Sequence, residues 1–143
     1  MKPRTRARSL ALQVLYEVDM ANHRPADVFK ARLEESPLTN ELTEFARQII
    51  FGVLPLTQNL DHLIAKHAPE WPLDQIAAID RNILRMALWE FAVFHETPLK
   101  VAINEAVELA KLYGSDSAPR FVYGVLGALA DHQHEIKQAF QKA

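Results

Sequence analysis

Apolar residues recur every three or four positions along most of the chain, which is the repeat of an α-helix with one buried face. The first such stretch begins near Pro3 and ends near Ala21. Its predicted buried stripe consists of Ala7, Leu10, Ala11, Val14, Leu15 and Val18. Because segments with this repeat follow one another along the sequence, the pattern predicts an all-α fold.

Prolines and small polar residues mark where the next helices begin and end. A short second helix is predicted after Pro25. Ser36 is predicted to cap a third helix, which has a proline at its first position and runs to about Leu54. Thr57 is predicted to cap a fourth helix that ends before Pro69.

The segment 76–94 is apolar around most of its circumference, which indicates a helix at the centre of the fold. Its polar residues are Asp80, Arg81, Asn82, Arg85 and Glu90. The other helices are therefore expected to pack around this segment.

Two more helices are predicted in the carboxy-terminal part. The first opens at Thr97 and Pro98 and ends at Gly114, which is predicted to take the left-handed conformation. Its predicted inward residues are Leu99, Ala102, Ile103, Ala106, Ala110 and Tyr113. The last helix follows a Ser-Asp-Ser loop, and its predicted buried stripe is Phe121, Val122, Val125 and Leu129. Gly124 and Gly127 are expected to let another backbone approach closely.

With 143 residues, 49% of them hydrophobic, the chain is long enough to bury the core of one globular domain. It contains no cysteine, which excludes disulfides, thiolate nucleophiles and cysteine-based zinc sites and favours a reducing compartment. The longest nearly apolar stretch, residues 49–56, is too short to span a bilayer, and the basic start lacks the apolar core of a secretory signal. We therefore expect a single cytoplasmic domain over residues 1–143.

Charge is distributed unevenly along the chain. Residues 1–16 contain four basic side chains, Lys2, Arg4, Arg6 and Arg8, and no acidic one, whereas the remaining 127 residues contain 12 basic and 18 acidic side chains. Cations at a helix start are unfavourable beside the helix dipole and beside one another, and a nucleic-acid phosphate would relieve both effects. Residues 1–8 are therefore predicted to form a basic arm for nucleic acid that is superfluous to the core, while the acidic body suits a basic protein. The alternative is a solvated basic terminus without a ligand.

The sequence contains no motif typical of catalysis. It has neither a glycine-rich phosphate loop nor a Gly-x-Ser-x-Gly nucleophile elbow. The His-Glu pairs at 95–96 and 134–135 lack the second histidine of a zinc-hydrolase helix, and the His-x-His pair at 132–134 is too sparse for a metal site. Glu105 and Glu108 are expected to belong to a solvated or partner-facing strip. No catalytic residue, metal ligand or cofactor is therefore expected, and the chain is predicted not to be an enzyme.

Several short segments form a recognisable pattern when they are taken together and in order. They are the basic start, LQVLY at 12–16, RNILR at 81–85, LWE at 88–90, VAINEAVELAK at 101–111 and FVYGVL at 121–126. This combination resembles the NusB family of transcription antitermination factors over nearly the whole chain. The resemblance implies an all-α fold of about seven helices arranged as two small packed bundles.

The resemblance also implies a non-enzymatic factor that binds single-stranded boxA-type leader RNA, notably of ribosomal RNA operons, together with the ribosomal protein NusE. RNA polymerase would then resist termination. The RNA contacts that it implies are Lys2, Arg4, Arg6, Arg8, Arg120 and Phe121. The residues that it implies lie toward NusE are Tyr16, Asp74 and Asp80, and acidic groups suit a basic ribosomal protein. From the residues alone, Phe121 is more typical of a core position, and Arg81 and Arg85 of internal struts that pair with Glu90 or Glu105.

Two positions depart from the family pattern. Thr5 interrupts the arginine run, and Tyr123 stands where many relatives have asparagine, so Tyr123 would either pack or supply a stacking ring. The helical domain also resembles the RNA-binding part of ribosomal RNA 5-methylcytosine methyltransferases, but their chemistry requires a further domain and a cysteine nucleophile. A protein-protein adapter is the third hypothesis. Some relatives form homodimers, so the sequence leaves monomer and homodimer open.

Overall fold

The computed structural model describes residues 1–141, and every regular element in that range is helical. The α-helices are α1 (Pro3–Ala21), α2 (Pro25–Glu35), α3 (Asn40–Val53), α4 (Thr57–His67), α5 (Ala78–Trp89), α6 (Leu99–Tyr113), α7 (Ala118–Ala130) and α8 (Gln133–Gln141). Turns of 3-10 helix lie at Leu54–Leu56 and Leu73–Gln75, and a π-helical turn at Glu90–Phe94 extends α5. The all-α prediction is confirmed. In the range 1–141, no helix is both long enough and apolar enough to cross a membrane.

Helix α5 lies at the centre of the fold, as predicted for the segment 76–94. Helices α1, α3, α4, α6 and α7 all pack against it, and Ile83, Leu84 and Leu88 are completely buried. Helices α1, α2 and α3 form one bundle, whereas α5, α6 and α7 form a second with α4 beside it. Contacts between α1 and α5 join the two bundles.

Helix α1 has the predicted bounds, and its predicted apolar stripe is buried except for Val18, which is partly buried. The chain leaves the helix through Asn22, which is left-handed and donates its backbone N–H to the Val18 carbonyl at 3.0 Å. The buried face also includes Thr5, Arg8 and Ser9. Polar groups inside a fold require partners, so these three residues connect the helix to its neighbours.

Two predicted helix caps are wrong. Helix α3 begins at Asn40, and its cap is Thr39 instead of Ser36. The Thr39 hydroxyl accepts a hydrogen bond from the backbone N–H of Leu42 at 3.3 Å. Ser36 instead ends α2, where its N–H donates to the Arg32 carbonyl at 2.9 Å, and residues 37–39 separate it from α3 without helical structure. Thr57 is the first residue of α4, and its hydroxyl donates to the carbonyl of Val53 at 3.2 Å. The 3-10 turn Leu54–Leu56 connects the end of α3 directly to the start of α4, so no extended capping residue lies between the two helices.

Gly114 and Gly52 are the glycines whose neighbours leave no room for a side chain. Gly114 is extended (φ −90°, ψ −179°), not left-handed, and its missing side chain is needed because a Cβ would lie 2.5 Å from that of Ala118. A Cβ on Gly52 would lie 2.5 Å from the Trp89 ring. By contrast, among residues 1–141 a Cβ on Gly127 would meet nothing within 4 Å beyond its chain neighbours and its own helix backbone, and one on Gly124 would meet only the Trp71 ring at 3.8 Å. Neither glycine therefore provides the predicted close approach of another backbone.

Candidate nucleic-acid and protein interface

The start of α1 is a helix end with exposed cations and no negative charge in its first turn. Lys2 precedes the helix in an extended conformation without a side-chain cap, and Pro3 follows it. The side chains of Lys2, Arg4 and Arg6 are all exposed. The free N–H groups of a helix start and its dipole favour an anion. This end of α1 therefore has the chemistry of a phosphate site.

Arg8 is not part of that exposed group, although it belongs to the same arginine run. Its side chain is 3% exposed, and its guanidinium donates to both carboxylate oxygens of Glu90, at 2.7 and 2.8 Å, and to Glu105 at 2.9 Å. Burial alone lowers the pKa of Arg8, but hydrogen bonds and charge interactions with Glu90 and Glu105 more than offset this and raise it above its usual value. Arg8 thus joins α1 to α6 and to the turn that extends α5, so the expectation that the whole arm is superfluous to the core is wrong at this residue.

Further contacts complete the buried network around Arg8. The hydroxyl of Thr5 donates to Glu105 at 3.0 Å, and that of Thr97 donates to Glu90 at 2.8 Å. Glu105 is therefore a partner of α1 inside the fold, whereas the sequence predicted that it belongs to a solvated or partner-facing strip. The spacing of Thr5, Arg8, Leu12 and Leu15 follows the helical repeat, and this signal would have placed Thr5 and Arg8 on the buried face.

The Phe45 ring of α3 lies beneath two of the arginines. The guanidinium carbon of Arg4 is 4.4 Å from the ring centroid, and that of Arg8 is 5.1 Å from it. A cation over an aromatic face is attracted to it. Arg4 is therefore exposed to solvent and also held in place, which is a useful arrangement for a residue that contacts an anion.

The start of α7 presents the second predicted group of RNA-binding residues. Its first turn contains no acidic residue, and Arg120 is exposed. Phe121 is half-buried, with its ring edge-on to Trp71 at a centroid distance of 6.3 Å. Tyr123 is 61% exposed and so does not pack in the core. The Tyr123 ring is the more exposed of the two, whereas Phe121 shows only part of its ring, at the cleft that it lines with Trp71.

Tyr113 attaches the end of α6 to the second and third turns of α1. The Tyr113 hydroxyl contacts the Ser9 hydroxyl and accepts from the side chain of Gln13 at 3.0 Å. Because Tyr113 is the last residue of α6, the loop that leads to α7 is fixed beside α1. The sequence predicted an inward Tyr113, but 38% of this residue is exposed and its polar end carries the contact.

The three predicted partner-facing residues differ in exposure. Tyr16 is 38% exposed and Asp74 is exposed, but Asp80 is only 7% exposed. One carboxylate oxygen of Asp80 is buried without a hydrogen-bond partner among residues 1–141, and burial raises the pKa of this carboxyl group. Asp80 lines a cleft of about 330 Å³ together with Trp71 and Phe121. It is therefore an acid inside a cleft and not an ordinary surface charge.

Arg81 and Arg85 are internal struts, as the sequence indicated, but with partners other than Glu90 and Glu105. Arg85 donates twice to Asp61 of α4 at 2.7 Å, and Arg81 donates to Asp19 of α1 at 3.0 Å. Burial raises the pKa of Asp19. Hydrogen bonds from Arg81 and Asn82, together with the charge of Arg85, lower this pKa by more than burial raises it, so the net shift is downward. These contacts fix the end of α1 near Tyr16.

The helix order and the residues at these two helix starts can be compared with known proteins. The model of the NusB family matches residues 5–131. The chain belongs to the NusB family. The matched range includes Arg8, Asp80, Arg120 and Phe121, whereas Lys2 and Arg4 precede it.

Curated NusB proteins are similar to the chain over nearly their whole length. The transcription antitermination protein NusB of Roseiflexus sp. is 47% identical over 137 residues, which is 94% of this chain and 96% of that protein. The NusB protein of Bacillus pumilus is 41% identical over 138 residues, which is 96% of this chain and 99% of that protein. These relatives place the chain among NusB antitermination factors.

Solved NusB structures share the fold. T. maritima NusB has a TM-score of 0.82 at 30% identity and covers 91% of this chain and 92% of its own. A crystal structure of the antitermination factors NusB and NusE in complex with dsRNA has a TM-score of 0.83 at 28% identity, covering 92% of this chain and 98% of that chain. The resemblance read from the sequence is confirmed at the level of family and fold.

Proposed function

We propose that the protein, acting as one all-helical domain over residues 1–143, binds single-stranded boxA-type leader RNA together with the ribosomal protein NusE. In this role it lets RNA polymerase read through terminators in ribosomal RNA operons without catalysing a reaction itself. The observation that carries the proposal is the exposed, acid-free start of α1 with Lys2, Arg4 and Arg6. The similar NusB protein crystallised with NusE and dsRNA supports NusE and RNA as the binding partners.

Four cations are proposed to contact the RNA backbone. They are Lys2, Arg4, Arg6 and Arg120, all of which are exposed. Arg8 is proposed to position α1 instead of contacting RNA, because both ends of its guanidinium are already satisfied by carboxylates. Phosphate contacts supply affinity, whereas bases are recognised by stacking and by their edges. Phe121 and the exposed Tyr123 are proposed to supply the stacking surface beside Arg120.

The partner surface is proposed to contain Tyr16, Asp74 and Asp80. A basic ribosomal protein would meet acidic groups here, and complementary charge speeds encounter and fixes orientation. Asp80 is proposed to supply the most specific contact, because this residue lines a cleft that a donor from the partner can enter. A buried acceptor without a donor costs stability, so a donor from NusE would remove a cost that the free protein carries.

Fluorescence anisotropy tests the proposal directly. A labelled boxA RNA and a scrambled RNA are titrated with the protein, with and without purified NusE, at several salt concentrations. Four phosphate contacts on a single strand predict a slope of log affinity against log salt of about −2.8. We expect selective binding of boxA that tightens with NusE. Equal, weak binding to both RNAs that NusE leaves unchanged would overturn the proposal and favour a protein adapter.

A further inference from the structure

Two histidines and a glutamate from different elements meet on the face where α4 ends. His67 is the last residue of α4, His132 lies between α7 and α8, and Glu135 is in the first turn of α8. One ligand atom from each residue lies within 4.8 Å of the other two. We propose that these three side chains bind one Zn²⁺ ion. The sequence did not predict this site because its principal member, His67, is 65 positions from His132.

The distances are close to those of a zinc site. The two imidazole rings have centroids 4.6 Å apart at an interplanar angle of 30°, and His132 Nδ1 lies 3.8 Å from Glu135 Oε1. Two tetrahedral ligands about 2.0–2.1 Å from zinc lie about 3.3 Å from each other. The ligand atoms therefore need to converge by about 1.5 Å at most. The His132 and Glu135 side chains are 44% and 65% exposed, so side-chain rotation has room to close this gap.

The ligand chemistry selects the class of metal. Two imidazoles and one carboxylate form a set used by three-ligand zinc sites, in which water takes the fourth position. Nitrogen ligands favour zinc over Mg²⁺ and Ca²⁺, which prefer oxygen. The site would thus hold zinc with one coordination position open to water.

The surrounding charges determine how the site responds to pH. Burial has the largest effect on the pKa of His67 and lowers it, and the positive charges of His132, Lys66 and His62 lower it as well. Glu135 raises this pKa, but the net shift is downward. Metal binding requires imidazoles in the neutral form and releases any proton that they carry. Zinc affinity should fall as the pH is lowered and the imidazoles become protonated.

A bound ion would connect parts of the fold that otherwise meet through few groups. Within the described residues, α8 buries Ile136 and packs on the π-helical turn after α5. Phe140 of α8 also packs against the core, and the zinc ligands would add a further attachment from the α7–α8 corner to the end of α4. A ligand that binds only the folded state stabilises it, so zinc is expected to raise the melting temperature.

The experiment uses the full chain, freed of metal, titrated with zinc chloride by calorimetry and followed by thermal melting. His67→Gln and His132→Gln remove ligands, whereas His62→Gln and His134→Gln are matched controls on α4 and α8. We expect one zinc ion per chain for the unaltered protein and both controls. Each ligand variant should bind about tenfold or more weakly and lose the rise in melting temperature.

Cobalt provides a second readout that does not depend on stability. Co²⁺ bound at a tetrahedral three-ligand site absorbs strongly in the visible range, and we expect this band for the unaltered protein and for His134→Gln but not for His67→Gln. Circular dichroism of each variant verifies its helical content. Zinc binding that is absent, or that weakens equally in the controls and the ligand variants, would show only scattered surface histidines and would overturn the proposal.

Discussion

Two buried charges in this protein have opposite surroundings. Arg8 has its guanidinium satisfied by two carboxylates from other elements, whereas Asp80 has an oxygen without a partner anywhere in residues 1–141. A buried charge that is fully paired holds elements together, while one left unpaired costs stability in the free protein. Arg8 therefore stabilises the fold, whereas Asp80 is the residue that we propose gains a donor from the partner.

The largest effect should come from breaking the paired charge. Arg8→Ala leaves Glu90 buried without its cation, and removal of one member of a buried pair costs about 3–5 kcal/mol. We expect a decrease of this size in the free energy of unfolding, measured by urea denaturation. RNA affinity should fall with it, because α1 is then no longer attached to α6 and to the turn that extends α5.

A double variant sharpens this result. Adding Glu90→Gln to Arg8→Ala removes the uncompensated negative charge, so part of the stability should return. Coupled residues give non-additive changes in such a cycle. If the double variant is as unstable as the sum of the two single variants, the pair is not coupled and the role assigned to Arg8 is wrong.

The second effect concerns the exposed cations of the same helix. The triple variant Lys2→Ala, Arg4→Ala, Arg6→Ala removes three of the four proposed phosphate contacts. The slope of log affinity against log salt should fall from about −2.8 to about −0.7, with affinity reduced about tenfold or more at moderate salt. Stability should change by no more than about 1 kcal/mol, because all three side chains are exposed and Arg4 interacts with the Phe45 ring from the solvent side. An unchanged salt slope would remove α1 from the RNA site.

The third effect tests the unpaired charge. Asp80→Asn removes a buried charge that lacks a partner, so the free protein should become more stable by about 1 kcal/mol at pH 7 while NusE binding weakens. The pKa of Asp80 is raised in the folded protein, so the folded state binds its proton more tightly than the unfolded state does. Its cost is therefore fully present above the folded pKa and disappears as the pH falls below the unfolded value.

Urea denaturation at several pH values checks this prediction, with Asp74→Asn as an exposed control. The stabilising effect of Asp80→Asn should shrink as the pH is lowered through the folded pKa, and Asp74→Asn should leave stability unchanged. A destabilised Asp80→Asn protein would mean that the carboxylate has a partner inside the chain.

The smallest effect is expected at the start of α7. Arg120 is exposed and contributes one proposed phosphate contact. Arg120→Ala should make the salt slope less steep by about 0.7 and lower RNA affinity a few-fold without changing the melting temperature. A reduction equal to that of the triple variant on α1 would place the centre of the RNA site at α7.

The sequence predicted the helices well and the polar contacts poorly. The bounds of α1, its buried stripe and the central position of α5 follow from local apolar spacing. The partners of Arg8 and Arg85 cannot be predicted in this way. Glu90, Glu105 and Asp61 are distant from them in sequence, and the sequence offers several other acids that could pair with these arginines. The exposed cations were predictable from charge alone. The burial of Arg8 depended on the two carboxylates beside it, Glu90 in the turn after α5 and Glu105 in α6.

The attachment of Arg8 also determines how ordered the beginning of α1 is. A helix end ordinarily frays. The binding free energy of a ligand at such an end must therefore offset the conformational entropy that is lost when the end becomes rigid. Here the second turn is tied to Glu90 and Glu105, and Thr5 is tied to Glu105 within the first turn. The hydrogen-bonded amides from Arg6 onward should therefore exchange with solvent slowly, and RNA would meet a surface that is ordered before it arrives.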